Sequence, residues 1–295
     1  MKKHKILYVF SAIAVLFGFT ACSSDEEIND SVKGNPVLIS ASVAENSIFT
    51  RSSPTGDMNE QSVFKENDQI SVNDGNKTAI YTYDGIAWTA ILNDHLTWHS
   101  APTSFKAYYP VGDGYSYEQA EMPLDQSTLE KIAKADYMKA DTSVTKEPTN
   151  HTLALKFKRQ TARVIVKITD YMNQFDKNTV IIESVKVRAF RHIPQNDYYG
   201  EIMTYKSNDG YIALVPPTNG GNGRIPDFLV ITVKASENAG LNILLVSSAS
   251  IPAMEAGKSY TYNITVGKDV AYINNVSVNE WPTDEIIPGG RAVEM

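Results

Sequence analysis

Apolar residues fall on every second position of PVLISASV, Pro36 to Val43, so Val37, Ile39, Ala41 and Val43 share one face. A period of two belongs to the β-strand, because a helix would scatter those residues around its axis. The same reading holds for SFKAYYPV, HTLALKFKRQTARVIVKIT, TVIIESVKVRAF, FLVITVKA, LNILLVSSASIPAM, KSYTYNITVG and AYINNVSVNEW. In DQISVNDGNKTAIYTYDGIAWTAIL, Asp74-Gly75 and Asp84-Gly85 break the strands as tight-hairpin pairs do. Only DQSTLEKIAKADYMKA, Asp125 to Ala140, is spaced for a helix, with Leu129, Ile132 and Ala133 on one side and Ser127 as the cap candidate. These patterns predict an all-β protein of two tandem β-sandwich domains with one short helix around residues 127–135. The polar break TKEPTN, Thr145 to Asn150, divides them into residues 52–147 and 148–295.

The N-terminus is of another kind. Lys2, Lys3 and Lys5 precede an apolar run from Ile6 to Ala21, the layout of a secretory signal peptide over residues 1–21. Small residues lead directly into Cys22, where a lipoprotein signal peptidase would cut and where the thiol would take a lipid. Polar, acidic SSDEEIND follows and offers nothing to bury a thiol against. Removing three lysines and no acid takes the formal charge from -7 to -10, which repels phosphate backbones and argues against nucleic acid as a partner. With Cys22 the sole cysteine, no disulfide can form within the chain, and the core alone must hold it.

Catalytic signatures are missing from the sequence. His95 and His99 stand four apart, but in strands and turns that spacing spans about 13 Å, too far for one ion. His4, His151 and His192 make no cluster with them. The sequence holds no G-x-S-x-G, Walker or EF-hand motif, and TNGGNGR, Thr218 to Arg224, follows two prolines as a surface loop would. The reading is therefore a protein that binds or builds, with no enzymatic activity, no cofactor and no metal.

Several segments in their order resemble the fimbrillin family, the subunits of the type V pili of Bacteroidia. They are FTRSS at Phe49 to Ser53, FKENDQISV at Phe64 to Val72, WTA at Trp88 to Ala90, FKAYYP at Phe105 to Pro110, DYMKADTSV at Asp136 to Val144, LALKFKRQTARVIVKI at Leu153 to Ile168, and the run from Ala256 to Trp281. Many relatives carry histidine in place of Arg159, a position expected to serve packing. The resemblance implies two transthyretin-like sandwiches exported as a lipid-anchored precursor to the outer membrane and cell surface, and SSDEE resembles the acidic export signal of that group. It further implies that residues 22–51 are a tether with a plug strand, that a protease cleaves at Arg51, and that a strand from another pilus subunit then fills the emptied groove, building an extracellular pilus. A host or bacterial surface molecule would be the target of adhesion. Val37, Ile39, Ala41 and Val43 have the alternating face such a plug needs. The donor is either AYINNVSVNEW or a short tail strand ending in RAVEM, since prolines interrupt the tail between them. The competing reading is a non-polymerising surface lipoprotein that binds glycans on Trp88 or Trp98.

Overall fold

The computed structural model describes residues 34–43, 64–100, 102–111, 121–173, 175–191, 199–208, 210–218, 225, 227–246 and 252–280. Cys22, Arg51, the tail after residue 280 and the glycine-rich segment beyond Thr218 lie outside them.

The first seven strands are β1 (Leu38–Val43), β2 (Gln69–Asn73), β3 (Thr78–Tyr83), β4 (Trp88–Ala90), β5 (Thr103–Tyr109), β6 (Met138–Val144) and β7 (Thr152–Arg159). The two Asp-Gly pairs turn the chain from β2 to β3 and from β3 to β4. Gly75 and Gly85 take φ of 94° and 93°, which a Cβ would oppose. Asp74 and Asp84 accept the amides of Asn76 and Lys77 and of Ile86 and Ala87.

The strands close into a barrel in the order β1-β4-β3-β2-β5-β6-β7, where a two-layer sandwich was expected. Closure comes from β1. It lies parallel to β7 with Leu38 opposite Thr152 through Val43 opposite Phe157, and meets β4 antiparallel at Ile39 and Trp88. Local periodicity cannot reveal such a joint, because the partners are remote in sequence. The polar break Thr145–Asn150 is the loop between β6 and β7, so the barrel runs past it to Arg159. A hairpin loop and an interdomain linker both need solvated polar backbone, and composition does not separate them.

The remaining strands are β8 (Ala162–Tyr171), β9 (Ile181–Phe190), β10 (Tyr199–Met203), β11 (Tyr205–Ser207), β12 (Gly210–Val215), β13 (Leu229–Lys234), β14 (Leu241–Val246), β15 (Lys258–Val266) and β16 (Ala271–Glu280). They form a four-stranded sheet, β10-β9-β13-β14, and a five-stranded one, β11-β12-β8-β15-β16. Val164, Tyr260, Tyr262 and Ile264 of one sheet share a core with Val187, Ile231 and Leu244 of the other.

The helix is a single turn and a little more, α1 at Leu129–Ala133. Its cap is Thr128, whose hydroxyl accepts the Lys131 amide at 3.2 Å; Ser127 instead donates its hydroxyl to Asp125. Ile132 packs with Met122 and Ala135 on Ile165, Ile212 and Leu214, the outer face of the five-stranded sheet. This cover explains why ARVIV at the start of β8 is buried on both faces.

The chain just before α1 straps one flank of the sandwich. Met203 donates to the Leu124 carbonyl at 2.7 Å and Gln126 donates back to Met203 at 3.0 Å. The fully buried Gln126 side chain accepts the Leu214 amide at 2.8 Å and donates to the Leu214 carbonyl at 2.9 Å, standing in for a neighbouring strand.

Candidate functional site

β1 and the slot that holds it form the candidate site. Val37 and Ile39 are buried in the barrel core, and Ala41 and Val43 pack against it half-buried, so the four alternating residues do share the inward face. Opposite them stand Leu153, Leu155 and Phe157 of β7, also inward and buried.

The lead-in to β1 is stitched by hydrogen bonds. Val37 donates to the Leu96 carbonyl at 2.8 Å, Leu38 to the His151 carbonyl at 2.9 Å, and Trp98 to the Asn35 carbonyl at 2.9 Å. Tyr81 reaches in from β3: its hydroxyl accepts the Leu96 amide at 3.0 Å and donates to the Val37 carbonyl at 3.4 Å. Burial pushes the Tyr81 phenol above its usual range, keeping it a donor. The Trp98 indole donates to the His151 carbonyl at 3.0 Å. Outside, Asn35 donates to Glu147 at 2.9 Å, and His151 pairs with the same carboxylate at 2.5 Å. These bonds, that of Asn35 first, hold the Glu147 carboxyl below its usual range. Gly34 passes so close to the Trp98 carbonyl that a Cβ there would sit 1.9 Å from the oxygen.

The other end of β1 is held differently. From Ser40 to Val43 the ladder runs to β7 alone among the described strands, since the pairing with β4 stops at Ile39. Beneath this end lie aromatic rings. Phe64 meets Trp88, Tyr109 and Phe157 edge-on at centroid distances of 5.1, 5.4 and 5.7 Å. Beyond Phe157, Arg159 is no simple packing residue. Its guanidinium grips Asp136 through two bonds of 2.9 and 3.0 Å, both side chains being buried. Tyr109 donates to Asp68 at 3.2 Å nearby, and burial pushes both the Tyr109 phenol and the Asp68 carboxyl upward.

The slot contains backbone groups and apolar pockets, the components of strand recognition. Among the described residues no group of three or more His, Cys, Asp or Glu stands close enough to hold a metal ion. His99 bonds to Asp74 at 3.0 Å. Trp88 and Trp98 belong to the barrel core, so neither offers a face for a sugar to stack on. Sequence reasoning passed over Tyr81 and Leu96, and weighed His151 only as a metal ligand. His151 anchors β1 through its carbonyl, at a φ of 56° that no local pattern announces.

The family model for fimbrillin-like proteins matches residues 50–281. The chain belongs to the fimbrillin-like family. The match begins beyond β1. A protein of Bacteroides ovatus carrying the name of a candidate fimbrium tip subunit, Fim1C, is 27% identical to this fimbrillin-like chain over 197 residues. The alignment takes 57% of this chain and 36% of that protein, little more than a third of the relative's length. Two solved structures share the fold. A candidate cell adhesion protein of Bacteroides uniformis superposes with a TM-score of 0.53 at 18% identity, over 83% of this chain and 99% of that one. Another from Bacteroides ovatus gives 0.57 at 13% identity, over 84% and 98%.

Proposed function

We propose that this fimbrillin-like chain is a pilus subunit, made as a precursor lipidated at Cys22 and assembled by strand exchange after cleavage at Arg51. The observation that carries the reading is β1, a strand of the barrel that precedes the segment containing Arg51 and lies outside the family match. On this reading the barrel is the first of the family's transthyretin-like domains and the paired sheets are the second.

The two ends of β1 suggest an order of events. Cleavage after Arg51 frees the end of β1 that is bonded to β7 alone, while the stitched lead-in at Val37 and Leu38 still holds. A donor strand from the next subunit enters at Val43, takes over the edge of β7, and reaches the Tyr81 and His151 bonds last. Its requirement is an extended segment with alternating apolar side chains for the pockets of Val43, Ala41, Ile39 and Val37. The outer membrane is the partner of the precursor and other subunits are the partners of the cleaved form; adhesion is the property of the assembled fibre.

A single experiment tests the scheme. Membranes from cells expressing the full chain are treated with trypsin, and the membrane-bound and released fractions are run in mild detergent. The intact chain should stay with the membrane as a monomer, and the cut chain should leave it as detergent-resistant ladders. An Arg51→Ala chain should stay uncut and monomeric, and a Cys22→Ala chain should not be held by the membrane. Cleaved protein that remains monomeric at high concentration would refute strand exchange, and Cys22→Ala protein anchored at the wild-type level would refute lipidation.

A further inference from the structure

The two flanks of the C-terminal sandwich are finished differently. The strap through Leu124 and Gln126 covers the β10 and β12 flank with hydrogen bonds. At the other flank β14 is the last strand of its sheet, and among the described strands none pairs with its outer side. Asn242 donates its side-chain amide to the Lys268 carbonyl at 3.1 Å, tying the start of β14 to the turn before β16.

Edge strands are ordinarily blunted by lysine, proline or a bulge. β14 has none of these. Its sequence is LNILLV, without charge or proline, and its register with β13 is unbroken. Leu244 and Val246 point into the core, while Leu241, Ile243 and Leu245 on the outer face are 58%, 66% and 54% exposed. Single exposed apolar residues are ordinary on any surface. Three at alternate positions of an edge that no described strand pairs with make a continuous stripe. Lys234, opposite Leu241 on the same face, is paired with Glu183 at 2.6 Å.

We propose that β14 is a pairing edge for a second copy of this chain, joined antiparallel about a two-fold axis at Ile243. The stripe is its own complement. With Ile243 opposite the partner's Ile243, Leu241 meets the partner's Leu245 and Leu245 meets the partner's Leu241, so all three exposed side chains on each copy are covered. No charge is set against itself, as would happen at most edges placed on a two-fold axis. The joint makes one eight-stranded sheet from two four-stranded ones. A six-residue strand buries only a few hundred Å² per copy, below the roughly 800 Å² per partner of a stable complex. The pair is therefore a weak one that gains strength where copies are already held side by side. It makes no use of β1 or of cleavage.

The test uses the full, uncut chain with Cys22→Ser and Arg51→Ala, so strand exchange plays no part in its outcome. Residues opposed across an antiparallel pair have Cα atoms about 4.5–5.5 Å apart, within reach of a disulfide. Ile243→Cys alone should oxidise to a covalent dimer at high protein concentration. Leu241→Cys alone should not, its two copies lying about 13 Å apart along the strands, whereas a mixture of Leu241→Cys and Leu245→Cys should cross-link. In sedimentation, Ile243→Lys should weaken the dimer about tenfold or more, because like charges would stand directly opposite one another. The proposal is overturned if Ile243→Cys cross-links no faster than Leu92→Cys at an exposed site of the barrel. It is equally overturned if the chain stays monomeric at millimolar concentration, or if a dimer persists unchanged in Ile243→Lys.

Discussion

Truncating Ile39 separates a strand held by its inward face from one held only by its backbone. Ile39 is 9% exposed and sits between Trp88 and Leu153, whereas its neighbour Leu38 is 51% exposed on the opposite face. Removing the buried side chain leaves a cavity in a packed core, and Ile39→Ala should cost about 2–4 kcal/mol. Leu38→Ala removes as many atoms but little buried area, and should cost below about 1 kcal/mol. The barrel can be followed alone through the fluorescence of Trp88 and Trp98, with Trp281→Phe as background. At a urea dependence of about 2 kcal/mol per molar, Ile39→Ala should lower the midpoint by about 1–2 M and Leu38→Ala by less than about 0.5 M. Cleavage adds a second readout. Before it, the covalent link keeps β1 at an effective concentration of about millimolar or above, and Ile39→Ala should remain monomeric. After it, the same 2–4 kcal/mol shifts release of the strand by roughly 30- to 1000-fold, so ladders should form correspondingly faster. Equal midpoint shifts for the two variants would show that the inward face does not hold β1. A destabilised Ile39→Ala that assembles no faster once cut would show that the slot is not where assembly takes place.

Two further substitutions probe the supports of the site. Asp136→Ala takes the buried carboxylate from the Arg159 guanidinium and should cost about 3–5 kcal/mol, while the paired change Asp136→Leu with Arg159→Met should recover most of it; a double variant no more stable than the single one in urea would refute the reading of the pair as a structural joint. Gln126→Ala leaves the Leu214 amide and carbonyl without the Gln126 side chain and should cost about 2–4 kcal/mol, with faster hydrogen exchange at Leu214 and Met203 as the signature of a loosened strap.

Much of this architecture follows from a period of two. The inward set Val37, Ile39, Ala41 and Val43, the Asp-Gly turns and the α-helical segment near Leu129 are each fixed by neighbours within a few residues, and all are visible in the chain. Closure is not. β1 finds β7 in parallel, and parallel partners share no turn that could betray them. The polar loop Thr145–Asn150 resembles a linker because solvent makes the same demand of both. Gln126 acts as a strand through its side chain, and only the position of Leu214 reveals it. The tryptophans were ambiguous because burial and display use the same residue.

The parallel joint also bears on how the chain is born. Leu38 precedes all the other described strands, yet its partner is Thr152 in the last strand of the barrel. A chain that emerges N-terminus first therefore holds its closing strand while the other six are made; β1 can meet β4 early, but its seat is complete only when β7 has been delivered. Until then the barrel is an open sheet with two sticky margins. Because β1 belongs to the same chain as the strands it joins, closure is a unimolecular event whatever the crowding around it.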